Sequence, residues 1–316
     1  MVAAVIVAVV VAVAGVGTMV WLRIDRRSVH LSGSGTGTTY LLVGSDSRAF
    51  VHSATDRAHF GAATRVRGER ADIVLLVRKV GDRVTMLNVP RDLIVLTAND
   101  APARYALTLG GGLQSLADVT CHSLGVGVDH VAVVHFDGLR DSIDAVGGID
   151  LTFPTPLRDR VTGLSIPTAG RRHLDGEQAL ALVRSRTTER EVDGRWERVP
   201  PTASERGGHA TQVLAALGAR AGLSVFSPWS SIRKLFAFSG AITVDDGMGP
   251  FQLRSFAHLL GRLDPARAIR LPVRFTPGDV PTAAATPASI RVLRRFAGDA
   301  RPCATRIPVQ APGVTP

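Results

Sequence analysis

Four short polar clusters interrupt the apolar pattern of this chain, each next to an apolar run. They are Gly44–Arg48 (GSDSR), Arg70–Asp72 (RAD), Pro90–Asp92 (PRD) and Arg184–Arg186 (RSR). Arginine is a permanently charged, planar side chain that binds phosphate oxygens in pairs. Carboxylates suit Mg²⁺, which takes one or two of them together with water and substrate phosphates. Gathered in one place, the clusters could bind a pyrophosphate and neutralise charge on a departing phosphate.

Strands predicted beside these clusters would gather them at one sheet edge. Apolar, β-branched runs predict strands at Tyr40–Val43, Ile73–Val77, Thr85–Val89, Val131–Phe136 and Ile149–Phe153. A Gly-Asp turn separates the second and third, which should pair as an antiparallel hairpin. The start of one strand and the end of its partner then share an edge, so Arg70 and Asp72 should meet Arg91 and Asp92.

Two further clusters extend this edge. If the first strand runs parallel to the third, Asp46 and Arg48 join the same edge, where α/β sheets bind ligands. Arg184 and Arg186 stand two residues apart, so in an extended segment both side chains point the same way. The alternative is structural, because Asp46 could form an Asx turn and the Arg-Asp pairs could be rim salt bridges of little energetic weight.

Helical periodicity alternates with the strands. Asp137 is predicted to cap a helix that ends at Gly147, and Asp175 a second one with Gln178 at its capping-box position. Gln212–Ala221 and Leu253–Leu263 predict two more helices. The predicted fold class is therefore α/β, a mixed central sheet flanked by helices in an α-β-α sandwich.

The chain divides into four predicted segments. Residues 1–22 form a transmembrane signal anchor because Val2–Leu22 lacks charge and is long enough to span a bilayer. Residues 23–39 form a Gly/Ser/Thr-rich flexible linker and residues 40–263 the catalytic domain. Residues 264–316 form a Pro/Ala-rich extension that is loosely ordered apart from the segment around Ile290–Phe296. Arginines follow the anchor and nothing basic precedes it, so the positive-inside rule by itself would leave the body cytoplasmic.

Charge and cysteine content narrow the classes of partner. The formal net charge of +10 favours an anionic partner, and codon bias in a GC-rich genome is an equally good explanation of the bulk charge. A nucleic-acid role is disfavoured because no DNA-binding module is present and aromatic residues make up only 5%. Cys121 and Cys303 are equally consistent with a disulfide and with two buried thiols.

The ordered motifs resemble the LytR-CpsA-Psr (LCP) family over roughly Tyr40 to Leu263. They are LLVGSDSR (Leu41–Arg48), RADIVLL (Arg70–Leu76), NVPRD (Asn88–Asp92), the glycines near Gly110–Gly112, AVGGIDL (Ala145–Leu151) and LDGEQALALVRSR (Leu174–Arg186). The resemblance implies the LCP fold and a single-pass membrane protein with an extracytoplasmic catalytic domain. It also implies a phosphotransferase that moves a glycopolymer from a polyprenyl-pyrophosphate carrier onto peptidoglycan, with the lipid in an apolar tunnel.

The same resemblance assigns roles to individual residues. Asp46 and Asp72 would bind Mg²⁺ or Mn²⁺, and Asp92 would orient Arg91 or act as a base. The arginines that would bind the pyrophosphate are Arg48, Arg70, Arg91, Arg184, Arg186 and Arg206. Arg91, Asp92 and Asp72 form the predicted catalytic set.

One block departs from the family pattern. The family continues with Arg-x-x-Arg-Gln-Gln, whereas this chain has Arg206 followed by His209, Ala210 and Thr211 at the later three positions. The loss motivates a second hypothesis, a non-catalytic binder of polyprenyl phosphates. A third is a pyrophosphatase that acts on the same carrier, if water replaces the acceptor.

Overall fold

A computed structural model describes residues 15–45, 70–199, 203–220, 222, 227–264, 267–276, 282–298 and 303–309. Two predicted site residues, Asp46 and Arg48, lie outside these ranges. The backbone of Arg206 is helical, but its side chain is not among those described.

Strands occur along the whole described chain. In chain order they are β1 Asp25–Arg27, β2 Thr38–Ser45, β3 Ala71–Val80, β4 Arg83–Val89, β5 Ile94–Leu96, β6 Pro102–Arg104, β7 His130–His135, β8 Ile149–Phe153, β9 Leu157–Asp159, β10 Leu164–Ile166, β11 Gly170–Leu174, β12 Glu189–Val192, β13 Arg195–Arg198, β14 Ile242–Asp245, β15 Ile269–Arg270, β16 Val273–Thr276 and β17 Thr282–Ala285.

Helices connect these strands. They are α1 Tyr105–Thr108, α2 Gly112–His122, α3 Phe136–Ala145, α4 Gly176–Arg184, α5 Ala203–Arg220, α6 Pro228–Ala241, α7 Pro250–Gly261 and α8 Pro287–Ala297. A 3-10 turn at Leu109–Gly111 separates α1 from α2, and residues 15–23 are also helical.

The central sheet is mixed and has seven strands in the order β1-β14-β7-β2-β3-β4-β15. The predicted hairpin is confirmed, since β3 and β4 pair antiparallel. β2 is also antiparallel to β3, so β2 and β4 run in the same direction, as predicted. β7 is parallel to β2. The ends of β2, β4 and β7 therefore lie at the edge where β3 begins.

Apolar side chains fill a core on each face of the sheet. Leu42, Leu75 and Ala132 face one core with helices α3, α4, α5 and α7. Leu41 and Val131 face the other, with α2 and α8. Alternate strand residues point to opposite faces, which explains why these strands read as continuous apolar runs. The predicted α-β-α sandwich is confirmed.

Local signals placed most of the predicted helix ends within three residues, but the helix predicted to begin at Gln212 begins nine residues earlier, at Ala203 of α5. Asp175 accepts a hydrogen bond from the backbone N of Gln178 at 2.9 Å, which confirms the predicted cap. The Gln178 side chain makes no capping box, because its Oε1 accepts from the backbone N of Ser165 at 2.9 Å. Helix α3 begins at Phe136, so Asp137 stands inside its first turn rather than at the cap. The helix ends before Gly147, whose φ of 79° favours glycine.

Residues 23–39 are packed onto the domain, which differs from the predicted flexible linker. β1 extends the central sheet by pairing parallel with β14. Ser34 is 2% exposed, and Asp129 accepts hydrogen bonds from the backbone N atoms of Ser34 at 3.0 Å and Thr39 at 2.7 Å. The Gly/Ser/Thr composition reflects a tightly hydrogen-bonded loop here, since small polar residues serve turns as well as tethers.

The described parts of the C-terminal extension are also ordered, which differs from the prediction everywhere except at the segment around Ile290–Phe296. β15 pairs with β4 in the central sheet. Helix α8 begins with a capping box at Thr286 and Ser289, and it buries Leu293 and Phe296 in the second core. Cys303 forms a disulfide with Cys121 of α2, which decides between the two alternatives for these cysteines. Long-range contacts order this segment, and its Pro/Ala composition does not reveal them.

Breaking the disulfide is expected to destabilise the domain. Its partners are 182 residues apart in sequence, and closing a loop of that size stabilises the folded state by about 3–5 kcal/mol through the lost entropy of the unfolded chain. The Cys121→Ser/Cys303→Ser variant should therefore unfold at lower denaturant concentration. A reductant should shift the wild-type midpoint to that of the variant and leave the variant unchanged. Coincident unfolding curves for both proteins would contradict the prediction.

Within the described residues, no helix combines the length and apolar character needed to cross a membrane. Most of the predicted anchor, residues 1–14, lies outside the description.

Candidate functional site

The predicted convergence of carboxylates and arginines occurs at the edge where β3 begins. Arg91, two residues beyond β4, donates a hydrogen bond from Nη1 to Oδ1 of Asp72. Arg186, which follows α4, donates from Nη2 to Oδ2 of the same carboxylate at 3.0 Å. Arg70 is exposed one residue before β3. Arginines from clusters up to 114 positions away in the sequence thus donate hydrogen bonds to the same carboxylate, that of Asp72.

A β-bulge places Asp72 at this site. The register shifts between Gly44 and Ser45, which pair with Ile73 and Ala71, so Asp72 is the extra residue. Ala71 lies in one core and Ile73 packs on the other, although residues two apart in a regular strand share a face. The bulge therefore places Asp72 at the rim beside Arg186, as bulges near active sites often do. No pattern in the sequence predicted this bulge.

Arg91 is held between two acids. Its side chain is 20% exposed, and its Nε lies 3.5 Å from Oδ2 of Asp92, within ion-pair distance but outside hydrogen-bonding geometry. Burial lowers the pKa of Arg91, but the charges of Asp72 and Asp92 outweigh burial and raise the pKa above its usual value. Arg91 therefore stays positively charged, and it does not transfer a proton to a substrate.

Asp92 lies behind Arg91. It is 3% exposed, and its Oδ1 is 3.9 Å from Nη1 of Arg104 on β6, an arginine that the sequence analysis missed. Between the two roles predicted for Asp92, this burial favours orienting Arg91 over acting as a base on a bound substrate.

The second arginine cluster leaves a helix at the same rim. Arg184 is the last residue of α4 and is partly buried. Ser185 is extended, with φ −60° and ψ 128°, so the helix ends there. Arg186 is 52% exposed along its side chain and reaches Asp72.

A buried carboxylate behind this segment was not predicted. Asp159, the last residue of β9, is 0% exposed. It accepts hydrogen bonds from Ser185 Oγ, the backbone N of Arg186, the backbone N and Oγ1 of Thr187, and the backbone N atoms of Val161 and Thr162. The sequence shows only an Asp before a Gly-containing turn, and nothing there points to residues more than twenty positions away.

The titration of Asp159 follows from these contacts. Burial raises the pKa of Asp159, but the hydrogen bonds from Ser185, Thr187 and Val161 outweigh burial and lower the pKa to about 2. A carboxylate with a depressed folded-state pKa stabilises the protein above its usual pKa, and loses that contribution as the pH falls through the folded value. The contribution of Asp159 is therefore fully present at neutral pH and fades only in strong acid.

An apolar cleft adjoins the charged rim. It has an empty volume of about 320 Å³, and its lining residues are Leu42, Val43, Gly44, Ile73, Val134, Phe136, Leu139, Val183, Ala210 and Leu214. Ile73 directly follows Asp72, and Val183 directly precedes Arg184. The cleft between the sheet and helices α3, α4 and α5 is therefore lined by the chain neighbours of Asp72 and Arg184.

The block that departs from the family pattern lines this cleft. Ala210 and Thr211 are each 1% exposed on α5, and Ala210 belongs to the cleft wall. At position 210 the wall therefore presents a methyl group where a glutamine amide would stand in the family pattern.

Comparison with known proteins supports a common origin. A family model for LytR-CpsA-Psr matches residues 22–199. LcpB of Corynebacterium glutamicum, named for cell wall biosynthesis, is 32% identical over 170 residues, which cover 52% of this chain and 40% of that protein. TagV of Bacillus subtilis, named a polyisoprenyl-teichoic acid–peptidoglycan teichoic acid transferase, is 31% identical over 141 residues, 42% of this chain and 36% of that protein. The chain thus matches less than half the length of these curated relatives.

A solved structure extends the similarity over most of the fold. The LytR-Csp2A-Psr enzyme from Actinomyces oris superposes with a TM-score of 0.66 at 28% identity, covering 87% of this chain and 96% of that one. The family model alone matches more than half of the 316 residues. This chain therefore belongs to the LytR-CpsA-Psr family.

Proposed function

We propose that the protein is a phosphotransferase that moves an anionic cell-wall glycopolymer from a polyprenyl-pyrophosphate carrier onto peptidoglycan. The observation that carries the proposal is the junction of Arg91, Arg186 and Asp72, next to Ile73 in the wall of an apolar cleft. Guanidinium groups at that junction suit the pyrophosphate, and the cleft suits a hydrocarbon chain. TagV, a relative, is named for transfer from a polyisoprenyl-linked donor to peptidoglycan.

In the proposed reaction, a hydroxyl oxygen of peptidoglycan attacks the phosphorus that carries the glycopolymer. A phosphodiester bond forms, the bond from that phosphorus to the bridging oxygen breaks, and polyprenyl phosphate departs with the bonding electrons. The hydroxyl proton passes to a base. Arg91 and Arg186 hold the phosphate oxygens and neutralise charge that accumulates on the leaving group. Asp92 keeps Arg91 in place.

Asp72 fits a role in binding Mg²⁺ or Mn²⁺. It offers hard oxygen ligands, and each oxygen keeps a lone pair beyond its arginine contact. No group of three or more potential metal ligands occurs among the described side chains. Mg²⁺ commonly takes one or two carboxylates together with water and substrate phosphates. Asp46, outside the described residues, is the proposed second ligand. The bound metal would supply charge neutralisation at the phosphates.

We further propose a membrane-anchored protein with its catalytic domain outside the cytoplasm. The Cys121–Cys303 disulfide supports this location, because disulfides persist in oxidising compartments. The apolar stretch Val2–Leu22 has the length of a bilayer-spanning segment.

The proposal is tested with the full-length chain in detergent, Mg²⁺, a polyprenyl-pyrophosphate oligosaccharide and purified peptidoglycan. We expect the oligosaccharide to become covalently attached to sedimented peptidoglycan, with one polyprenyl phosphate released per transfer. Chelation of the metal should stop the reaction. Release of polyprenyl phosphate at the same rate without peptidoglycan would instead indicate a pyrophosphatase.

The second candidate is a non-catalytic protein that binds polyprenyl phosphates. The buried methyl of Ala210 favours it, because the altered block provides no amide to the substrate. Saturable binding of the lipid without transfer or hydrolysis in the same assay would support this function over the first.

A further inference from the structure

Asp159 touches neither Asp72 nor Arg91, yet it holds the segment that carries Arg186. It stands at the end of β9, in the sheet of β9, β10, β12 and β13. Four of its six hydrogen bonds come from residues 185–187, and the other two come from the turn at residues 161–162. The carboxylate therefore links the turn after β9 to the chain that leaves α4.

This link holds the backbone of Arg186 in place. The backbone N of Arg186 itself donates to Asp159 Oδ2 at 3.1 Å, while its guanidinium donates to Asp72 at 3.0 Å. Ser185, between the two arginines, donates from Oγ to the same Oδ2 at 2.6 Å. Arg186 thus extends from a segment that has little freedom to rotate.

The negative charge of Asp159 suits its donors. Four of the six are backbone N–H groups, which can only donate, and each carboxylate oxygen accepts from two of them. Asparagine has the same shape, but its amide nitrogen would face two or more donors and leave buried polar groups without acceptors. The Asp159→Asn substitution should therefore loosen residues 185–187 while leaving the apolar packing intact.

We propose that Asp159 is a positioning residue of the pyrophosphate site, which acts through Arg186. This proposal rests on the proposed function only because it takes pyrophosphate as the group that Arg186 binds. Asp159 makes no contact with the substrate. It sets the backbone from which Arg186 reaches the rim.

The test measures binding of inorganic pyrophosphate to the full-length chain by calorimetry, with Mg²⁺ present. We compare wild type, Asp159→Asn, Arg186→Ala and the double variant. Each single substitution should weaken binding about tenfold or more, as expected for loss of a charge-assisted contact. The double variant should bind no more weakly than Arg186→Ala, because Asp159 has no effect once its arginine is gone.

A matched control separates positioning from general destabilisation. Asp144 accepts a hydrogen bond from the backbone N of Gly176 at 2.7 Å, at the opposite end of the same helix α4. Asp144→Asn should lower thermal stability without changing pyrophosphate affinity. If Asp159→Asn fails to fold, Ser185→Ala and Thr187→Val each remove one side-chain donor and should weaken binding to a smaller extent.

The outcomes are distinguishable. Additive losses in the double variant, or an unchanged affinity in Asp159→Asn, would overturn the positioning role while the proposed function stands. A wild-type protein that binds no pyrophosphate would instead refute the proposed function.

Discussion

Replacing Arg91 by alanine is expected to lower kcat/KM for glycopolymer transfer by about 10²–10³-fold, the loss that follows removal of one charge-stabilising donor from an active site. Arg91 is only 20% exposed and is held by Asp72 and Asp92. Because Arg91 is already held in place, it does not have to rearrange when charge develops on the departing phosphate. The rate of polyprenyl phosphate release, measured under single-turnover conditions, checks this expectation.

Two further variants sharpen the interpretation. Arg91→Lys keeps the charge but loses the planar pair of donors, so it should recover only part of the rate. Arg172→Ala is the matched control, because Arg172 donates to the backbone carbonyls of Thr168 and Ala169 away from Asp72. It should transfer at the wild-type rate. Transfer by Arg91→Ala within twofold of wild type would remove Arg91 from the catalytic set.

Replacing Asp72 by asparagine should change two readouts in opposite directions. Asp72 accepts hydrogen bonds from Arg91 and Arg186, so its charge competes with phosphate oxygens for both guanidinium groups. In EDTA, the neutral asparagine should let inorganic pyrophosphate bind about 3–10-fold tighter, since a nearby negative charge opposes an anion. In Mg²⁺, transfer should fall by about 10²-fold or more through loss of a metal ligand.

The opposed directions make Asp72 informative. General destabilisation would weaken binding and transfer together. Asp141→Asn provides the control, because Asp141 also pairs with an arginine, Arg140 at 3.1 Å, but is 59% exposed on α3. Both of its readouts should stay at wild-type values. Weaker pyrophosphate binding by Asp72→Asn in EDTA would show that the carboxylate supports the arginines rather than competing with the substrate.

Local sequence patterns determined the central hairpin and the ends of several helices. The apolar runs of β3 and β4 and the turn between them are sufficient to predict that Asp72 and Arg91 lie at one edge of the sheet. The cap at Asp175 and the stop at Gly147 likewise depend on neighbouring residues only. Such features can be predicted from the sequence because their interactions join residues that are only a few positions apart in the chain.

Only the tertiary structure decided which face the functional groups occupy and what holds them. The bulge that turns Asp72, the pairing of β1 with β14 and the disulfide between Cys121 and Cys303 each join distant segments. The hydrogen bonds of Asp159 do the same for residues 185–187. A sequence pattern records the preference of each segment for helix or strand, whereas these contacts depend on where the folded chain brings segments together. The sequence therefore predicted the residue types that can bind a phosphate. It did not predict the contacts that hold their side chains in place.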